Sequence, residues 1–227
     1  MTAIRPSRRG RWWQAGAVAL AAGLTVALSQ STTGAVFTGQ TLDTGNQVTA
    51  NSDFCSAPGR VDTLTTGTVD TAVSEGSPTT NYSTNPSIGV AQTSSSTGRA
   101  RTLIKFALLS KPSGCVVASA VLTLHVSSGA TPANVTVYRA AAAWNPTTVI
   151  WNTDPGIVAG SGTTTAATAS GTAQWNVATQ VTALYAGPDY GFEIRDAAET
   201  VGSLTQLYDS MESGTASYRP ELTITWG

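Results

Sequence analysis

The sequence predicts an all-β fold, a jelly-roll β-sandwich with one short helix, on three observations. About a quarter of the 227 residues are Ser or Thr, and with 22 Gly and 10 Pro this composition disfavours long helices. Apolar and polar residues alternate with a period of two in many short segments. One segment alone has convincing helical spacing. Many short strands separated by turn signals are typical of a sandwich.

The first 35 residues have the pattern of a secretory signal peptide. Four arginines within the first 11 residues precede an apolar run of roughly fifteen residues, which is shorter than a membrane-spanning helix needs. Cleavage is expected after Ser29 or Ala35, and an uncleaved signal anchor is the alternative. Residues 36–60 are predicted to be a leader. The segment QSTTGAVFTGQTLDTGNQVTA, residues 30–50, has a short strand followed by TGN and another strand, and it looks like the post-signal segment of secreted surface and biofilm-fibre proteins. The main domain is predicted over residues 61–227.

The strand prediction is clearest in the segments RTLIKFAL and VLTLHV. In the first, Ile104 and Phe106 share the face that we expect to meet the core, while Arg101, Leu103 and Lys105 take the other face. In the second, the apolar residues alternate with threonine and histidine in the same way. The segments NVTVYRA, YGFEIRD, LTQLYDS and ELTITW continue the pattern.

The single helix is predicted over residues 177–187, VATQVTALYAG. Val177, Val181, Leu184 and Tyr185 fall on one side at helical spacing, and the glycine at 187 is a typical stop signal.

The two cysteines, Cys55 and Cys115, both follow the predicted signal peptide, so an exported chain would carry them into an oxidising compartment. We predict a disulfide that closes a loop of about 60 residues, worth about 4 kcal/mol in the chain-entropy model. Two unrelated buried thiols are the alternative. Two cysteines and a single histidine disfavour a zinc site.

The charge balance disfavours nucleic acid and anionic membranes as partners. Of the 12 Lys and Arg residues, four lie in the predicted signal peptide, which leaves 8 against 13 Asp and Glu. A mature chain with a net charge near −5 lacks the basic surface that such partners need. No second apolar stretch long enough to span a bilayer follows, so no membrane contact is expected after signal cleavage.

The residues do not form a convincing catalytic set. A Ser–His–Asp mechanism needs a histidine, and His125 lies on an outward strand position with no acidic neighbour in sequence. A glycosidase needs two carboxylates facing one cleft, and the candidates are Glu193, Asp196, Glu199 and Glu212. Glu193 shares a strand face with Arg195 and can simply pair with it. We therefore predict that the protein is not an enzyme.

Five segments carry a family resemblance. They read VDTAVSEGSPTTNYSTNPSIGV, RTLIKFALLSKPSGCVVASAVLTLHV, VTVYRAAAAWNPTTVIWNTDP, QWNVATQVTALYAGPDYGFEIRDAAET, and YDSMES followed by YRPELTITW. Together they resemble the DNRLRE domain, which is grouped with carbohydrate-binding module family 96. The resemblance runs in order from about residue 66 to the C terminus. It implies a secreted, non-catalytic jelly roll of the kind appended to polysaccharide-active or cell-surface proteins, in a family that includes alginate binders.

The charged stretch DYGFEIRDAAET matches the family's acidic strand-end motif, so its charges are expected to belong to the rim of the sandwich. An ion-pair network is the favoured interpretation for Asp196, Glu199, Glu212 and Arg219. No cofactor is predicted. A structural calcium, held by some of these carboxylates with Asp70, is the one metal that the residues admit, because that ion takes clustered oxygen ligands.

This chain departs from the family pattern at several polar positions. The family commonly reads Ser-Arg-Glu where this chain has Ser210-Met211-Glu212, and an arginine is common where His125 stands. In the family, Thr-Glu tends to follow the tryptophan at this position. In this chain, Asn145-Pro146 follow Trp144. Ser83 replaces a glycine. If these groups touch ligand, this copy is expected to bind weakly or differently.

A binding face is predicted from strand parity. Arg101, Lys105 and Arg195 have core-facing neighbours, so these three of eight remaining cations point away from the core. If their strands are adjacent, they form a patch suited to carboxylates. Arg139 is a weaker candidate because it shares the parity of two valines. The alternative is that the cations pair with Glu193 and similar residues.

The aromatic candidates for stacking on sugar rings are Tyr82, Trp144, Trp151 and Trp175. The spacing WNPTTVIWN also fits tryptophans that pin a loop to the sandwich, and core packing is the default for large aromatics. Three functions remain. They are a secreted module that binds an acidic, uronate-rich polysaccharide, a structural or adhesive surface protein without a glycan ligand, and an enzyme. The missing catalytic set argues against the third.

Overall fold

The computed structural model describes residues 55, 59–91, 98–129, 134–199 and 205–227. The predicted signal peptide and nearly all of the predicted leader lie outside these residues, so both stay predictions. The described part has eleven strands: β1 (Val61–Leu64), β2 (Val69–Ser74), β3 (Ser87–Ala91), β4 (Ala100–Lys105), β5 (Val117–Gly129), β6 (Asn134–Arg139), β7 (Thr163–Ala166), β8 (Gly171–Asn176), β9 (Phe192–Asp196), β10 (Thr205–Asp209) and β11 (Glu221–Trp226).

The described strands pair antiparallel throughout in one continuous, curled sheet. Its order is β1-β11-β5-β10-β3-β4-β9-β6-β7, with β2 beside β4 and β8 beside β5. The pairing of Ala91 with Ala100 joins β3 to β4. We call β1, β3, β5, β8, β10 and β11 the first layer and β2, β4, β6, β7 and β9 the second layer. This arrangement confirms the predicted all-β sandwich.

One apolar core lies between the two layers. Trp175 on β8 donates its indole N–H to the Val135 carbonyl oxygen on β6 at 3.0 Å, a contact that crosses the interior. Trp175 also meets Tyr208 edge-on, with ring centroids 6.0 Å apart. The largest fully buried side chains come from both layers: Trp175, Trp226, Tyr208, Phe106, Phe192, Ile88, Leu103, Ile104, Leu122, Leu124, Ile194 and Leu222.

The outer face of the second layer is partly covered by apolar side chains. A small second cluster there contains the buried Val73, Leu103 and Val149, with Trp144 and Trp151 packed against it. We call residues 141–156, between β6 and β7, the covering loop. Strand parity correctly put Leu103 on the face opposite Ile104, but the loop covers that face, so Leu103 is fully buried.

The helix and the disulfide are both as predicted. Helix α1 spans Ala178–Ala186, ends at Gly187, and buries Val181 and Leu184. Cys55 and Cys115 are bonded, with Cα atoms 5.5 Å apart. Short 3₁₀ turns occur at Trp151–Thr153 and Ala216–Tyr218. None of the helices in the described ranges has the length and apolarity needed to cross a bilayer.

Candidate functional site

Three of the predicted ligand cations lie on one surface, the outer face of the second layer. On β4, Leu103 pairs with Glu193 of β9, and Thr102 pairs with Ile194. Because Ile194 is fully buried in the core, Glu193 and Arg195 take the opposite, outer face. Arg101 and Lys105 share the parity of Leu103 and lie on the same face. The strands are adjacent, as the binding-face hypothesis requires.

At one end of this face, Arg101 is surrounded by carboxylates. Its Nε and Nη2 donate to the two carboxylate oxygens of Glu199 at 2.6 and 2.9 Å, and its Nη1 donates to Asp154. The side chains of Arg101 and Asp154 are 12% and 8% exposed. Glu199 has a positive φ of 44°, an uncommon conformation for a residue other than glycine. This geometry is a closed ion-paired arrangement, not an open cationic surface.

The neighbouring Arg195 is held in the same way. Its Nε donates to Glu193, so the predicted pairing of these two residues is confirmed. Glu193 is fully buried, and its Oε2 has no hydrogen-bond partner within the part of the chain that the structure describes. Burial raises the pKa of Glu193 to about 7, although the Arg195 hydrogen bond acts to lower it. A fraction of Glu193 is therefore protonated at neutral pH.

Arg99 and Trp151 complete this end of the face. Arg99 pairs with Glu75 at 2.8 Å and lowers the pKa of that carboxyl group to about 2. The guanidinium carbons of Arg99 and Arg101 lie 5.2 and 4.5 Å from the centre of the Trp151 ring, within the range of cation–π attraction. We call this set the ion-pair cluster: Glu75, Arg99, Arg101, Trp151, Asp154, Glu193, Arg195 and Glu199.

The other end of the same face is an open groove of about 420 Å³. It is lined by Gly67, Val69, Lys105, Phe106, Ala107, Trp144, Asn145 and Pro146. Lys105 forms no ion pair of 4.0 Å or less with any described residue. Its charge does act on Asp189, since it lowers the pKa of that carboxyl group against the larger effect of burial, which raises it. We call this the Lys105–Trp144 groove.

The covering loop fixes Trp144 in the groove. The Trp144 indole N–H donates to the Tyr190 carbonyl oxygen at 2.7 Å, and the ring is half-buried. Asn81 donates from Nδ2 to the carbonyl oxygens of Pro146 and Val149, both at 2.7 Å. The predicted role of the tryptophans in pinning a loop to the sandwich therefore matches the structure, and Trp144 also lines the open groove.

Two predicted ligand residues lie elsewhere. Tyr82 lines a separate concave surface, of about 420 Å³, which it shares with Asn85, Ser87 and Gly89. On β6, Thr136 pairs with Arg195 and shares its outer face. Arg139 comes three residues later, so the Arg139 side chain lies on the opposite face of the strand. The structure therefore unites Lys105 with Trp144, and Arg101 with Arg195 and Trp151, but brings neither Tyr82 nor Arg139 to these groups.

The acidic residues that the sequence grouped together stay only partly together. Glu199 pairs with Arg101, whereas Glu212 lies beside Asp70. Arg219 donates two hydrogen bonds to the Ser213 carbonyl oxygen, at 3.1 and 3.0 Å. Asp196 stays next to Glu199 and accepts its backbone N–H at 3.1 Å, whereas Glu212 and Arg219 have the separate partners given above.

His125 is less exposed than predicted. Its ring stacks on Tyr218 with centroids 3.6 Å apart, and Nδ1 lies 2.7 Å from Asp209 Oδ2. Asp209 accepts a hydrogen bond from the Ser213 hydroxyl at 3.0 Å. The serine thus contacts the carboxylate and not the imidazole, which is not the arrangement of a nucleophilic triad.

Sequence reasoning missed four residues that shape this face, Glu75, Arg99, Asp154 and Asn81. Asp154 lies 53 residues from Arg101, and Asn81 lies 65 residues from Pro146. The segment NTDPG does read as a turn, but nothing in that pattern tells which strand the turn meets.

The family model of carbohydrate-binding module family 96 matches residues 62–226, well over half of the chain. No curated protein matches the chain. The matched range contains every described strand except the first residue of β1. The family describes a non-catalytic binding module with a carbohydrate partner. The chain therefore belongs to carbohydrate-binding module family 96.

Proposed function

We propose that this protein is a secreted, non-catalytic module whose Lys105–Trp144 groove binds an acidic, uronate-rich polysaccharide. The observation that carries the proposal is the position of Lys105, without an ion pair among the described residues, beside a half-buried tryptophan in one groove. An ammonium group binds a carboxylate by charge, while an indole face and the 37% exposed Val69 offer apolar contact to a sugar ring.

The arginines of the ion-pair cluster are not part of this proposed binding set. Their donors already meet Glu199, Asp154 and Glu193 at the outer face of the second layer. A uronate would have to displace carboxylates that are fixed within the protein, which binding cannot easily offset. The proposed ligand site is therefore smaller than the patch of three cations that strand parity predicts.

Secretion is part of the proposal and is supported by the bond between Cys55 and Cys115. Structural disulfides form and persist in oxidising compartments outside the cytosol. The N-terminal pattern of arginines followed by an apolar run is the sequence basis for the same proposal.

Calorimetric titration of the mature protein with oligomers of alginate, pectate and a neutral glucan tests the binding proposal. We expect the uronate oligomers to bind, the neutral glucan to bind weakly or not at all, and added salt to weaken the uronate affinity. Lys105→Ala should lower the uronate affinity about fivefold, equivalent to about 1 kcal/mol, and Trp144→Ala about tenfold.

Lys111→Ala is the matched control, because it removes an exposed lysine outside the groove. Its affinity should equal that of the wild type. Equal binding of the neutral glucan, or full affinity in Lys105→Ala, would reject the uronate groove.

A structural or adhesive surface protein without a glycan ligand is the second candidate. The closed state of Arg101 and Arg195 favours it, since two of the three predicted cations are occupied within the protein. A glycan array with no bound polymer would support this alternative.

A further inference from the structure

Two buried oxygen atoms at the beginning of β2 have no hydrogen-bond partner among the described residues. They are Oγ1 of Thr68, a residue that is 7% exposed, and Oδ1 of Asp70, which is 2% exposed. Thr68 lies two residues before Asp70 and directly before the strand, so both oxygens belong to the same end of β2. Buried polar atoms are nearly always satisfied, and an orphan often marks the place of a water molecule or an ion.

A second carboxyl group faces this end of the strand. Asp70 Oδ2 accepts a hydrogen bond from the Met211 backbone N–H at 2.9 Å, and Glu212 is the next residue along the chain, close enough for its charge to act on Asp70. Neither Asp70 nor Glu212 forms an ion pair with a described Lys, Arg or His. Burial raises the pKa of Asp70 to about 7, and the charge of Glu212 adds to the increase.

Hydrogen bonds of Ser210 fix the turn that carries Glu212. Ser210 is fully buried, and its hydroxyl donates to the Asn85 carbonyl oxygen at 2.7 Å and accepts the Glu212 backbone N–H at 3.0 Å. The Glu212 residue itself is exposed. The turn after β10 is thereby held against β2, with an accessible carboxylate beside a buried one.

We propose that Asp70, Glu212 and the Thr68 hydroxyl bind a divalent cation of the calcium type. Two carboxylates and a hydroxyl are hard oxygen donors, which Ca²⁺ prefers, and the two negative charges balance the ion. The cation supplies the partner that the orphan oxygens lack. It would also tie β2 to the turn that follows β10.

The weak end of the calcium affinity range is expected. No group of three or more His, Cys, Asp or Glu residues in the described ranges is arranged to hold a metal ion. Backbone oxygens and water therefore complete the coordination. Extracellular calcium modules with few charged ligands have dissociation constants of about 10⁻⁴ to 10⁻³ M, and we expect this range.

The test is calorimetric titration of the chelator-treated mature protein with CaCl₂, together with thermal unfolding with and without the ion. Wild type should bind one Ca²⁺ and unfold at a higher temperature in its presence. Asp70→Asn and Glu212→Gln should each lower the affinity at least tenfold, and Thr68→Val should lower it less. Asp70→Asn keeps nearly the same side-chain shape, and its amide oxygen can still accept the Met211 backbone N–H, so this variant should still fold.

Glu221→Gln is the control, because it removes a carboxylate on β11 that is bonded to Thr223 instead. It should bind Ca²⁺ like the wild type. Absence of heat and of any thermal shift in the wild type at millimolar Ca²⁺ would overturn the proposal. So would unchanged Ca²⁺ affinity in a folded Asp70→Asn variant, since Asp70 would then not be a ligand.

Discussion

Arg101 and Lys105 lie on the same strand and the same outer face, yet their surroundings are opposite. Arg101 is bonded to Glu199 and Asp154 beneath Trp151, whereas Lys105 lines an open groove beside Trp144. A charge that is already compensated has its donors occupied, whereas one without a partner is available to a ligand. The position of a cation on a binding face therefore does not by itself make it a binding residue.

The charge balance of the ion-pair cluster explains why it is closed. Three guanidinium groups meet four carboxylates, and Glu193 is the carboxylate that burial keeps partly protonated. The ionised groups are therefore close to balance. No comparable set of carboxylates surrounds Lys105 among the described residues.

The largest expected effect comes from Arg101→Ala. This change leaves Asp154 and Glu199 largely buried without their main cationic partner. We expect the free energy of unfolding to fall by about 3–5 kcal/mol, as when one partner of a buried ion pair is removed. Urea denaturation measures it. Arg99→Ala is the control, since that side chain is 34% exposed and its loss should cost less than about 1 kcal/mol.

Asn81→Ala should give the next largest effect, because it removes both hydrogen bonds that hold the covering loop at Pro146 and Val149. We expect a loss of about 2 kcal/mol of unfolding free energy, and a weaker glycan affinity because Trp144 is less firmly positioned. Denaturation and calorimetry on one sample measure both. Unchanged glycan affinity in a destabilised variant would contradict the expectation that the covering loop positions Trp144 for binding.

Glu193→Gln should change how stability depends on pH. Since the pKa of Glu193 is about 7 in the folded protein and near 4.5 when unfolded, the unfolded chain releases this proton first. The contribution of Glu193 to unfolding free energy therefore falls as pH rises from about 4.5 to about 7, by at most about 1.4 kcal/mol per pH unit. Denaturation curves across this range should show a smaller decline in the variant, and an identical slope would contradict the raised pKa.

Lys105→Ala should have the smallest effect on stability. Because the ammonium group has no ion pair with a described residue, we expect a change within about 0.5 kcal/mol. The same urea series used for Arg101→Ala measures it. A loss comparable to that of Arg101→Ala would remove the contrast between the two ends of the face.

The fold could be predicted because its signals are local. Strand alternation around Ile104 and Phe106, the helix ending at Gly187 and the cysteine pair each depend on neighbouring residues or on compartment chemistry. The partners of Arg101 could not be predicted, since Asp154 and Glu199 are 53 and 98 residues away in the chain. Parity gives the face of a side chain, whereas tertiary packing decides which counter-charge reaches it.

Heteronuclear NMR titration with an oligouronate tests the division of the outer face most directly. The account predicts shifts at the Trp144 indole N–H and at the Lys105 and Val69 amides, with the Trp151 indole N–H and the Arg101 Nε–H unchanged. Shifts at Trp151 and Arg101 with none at Trp144 would contradict it, because the ligand would then have opened the ion-pair cluster and left the groove empty.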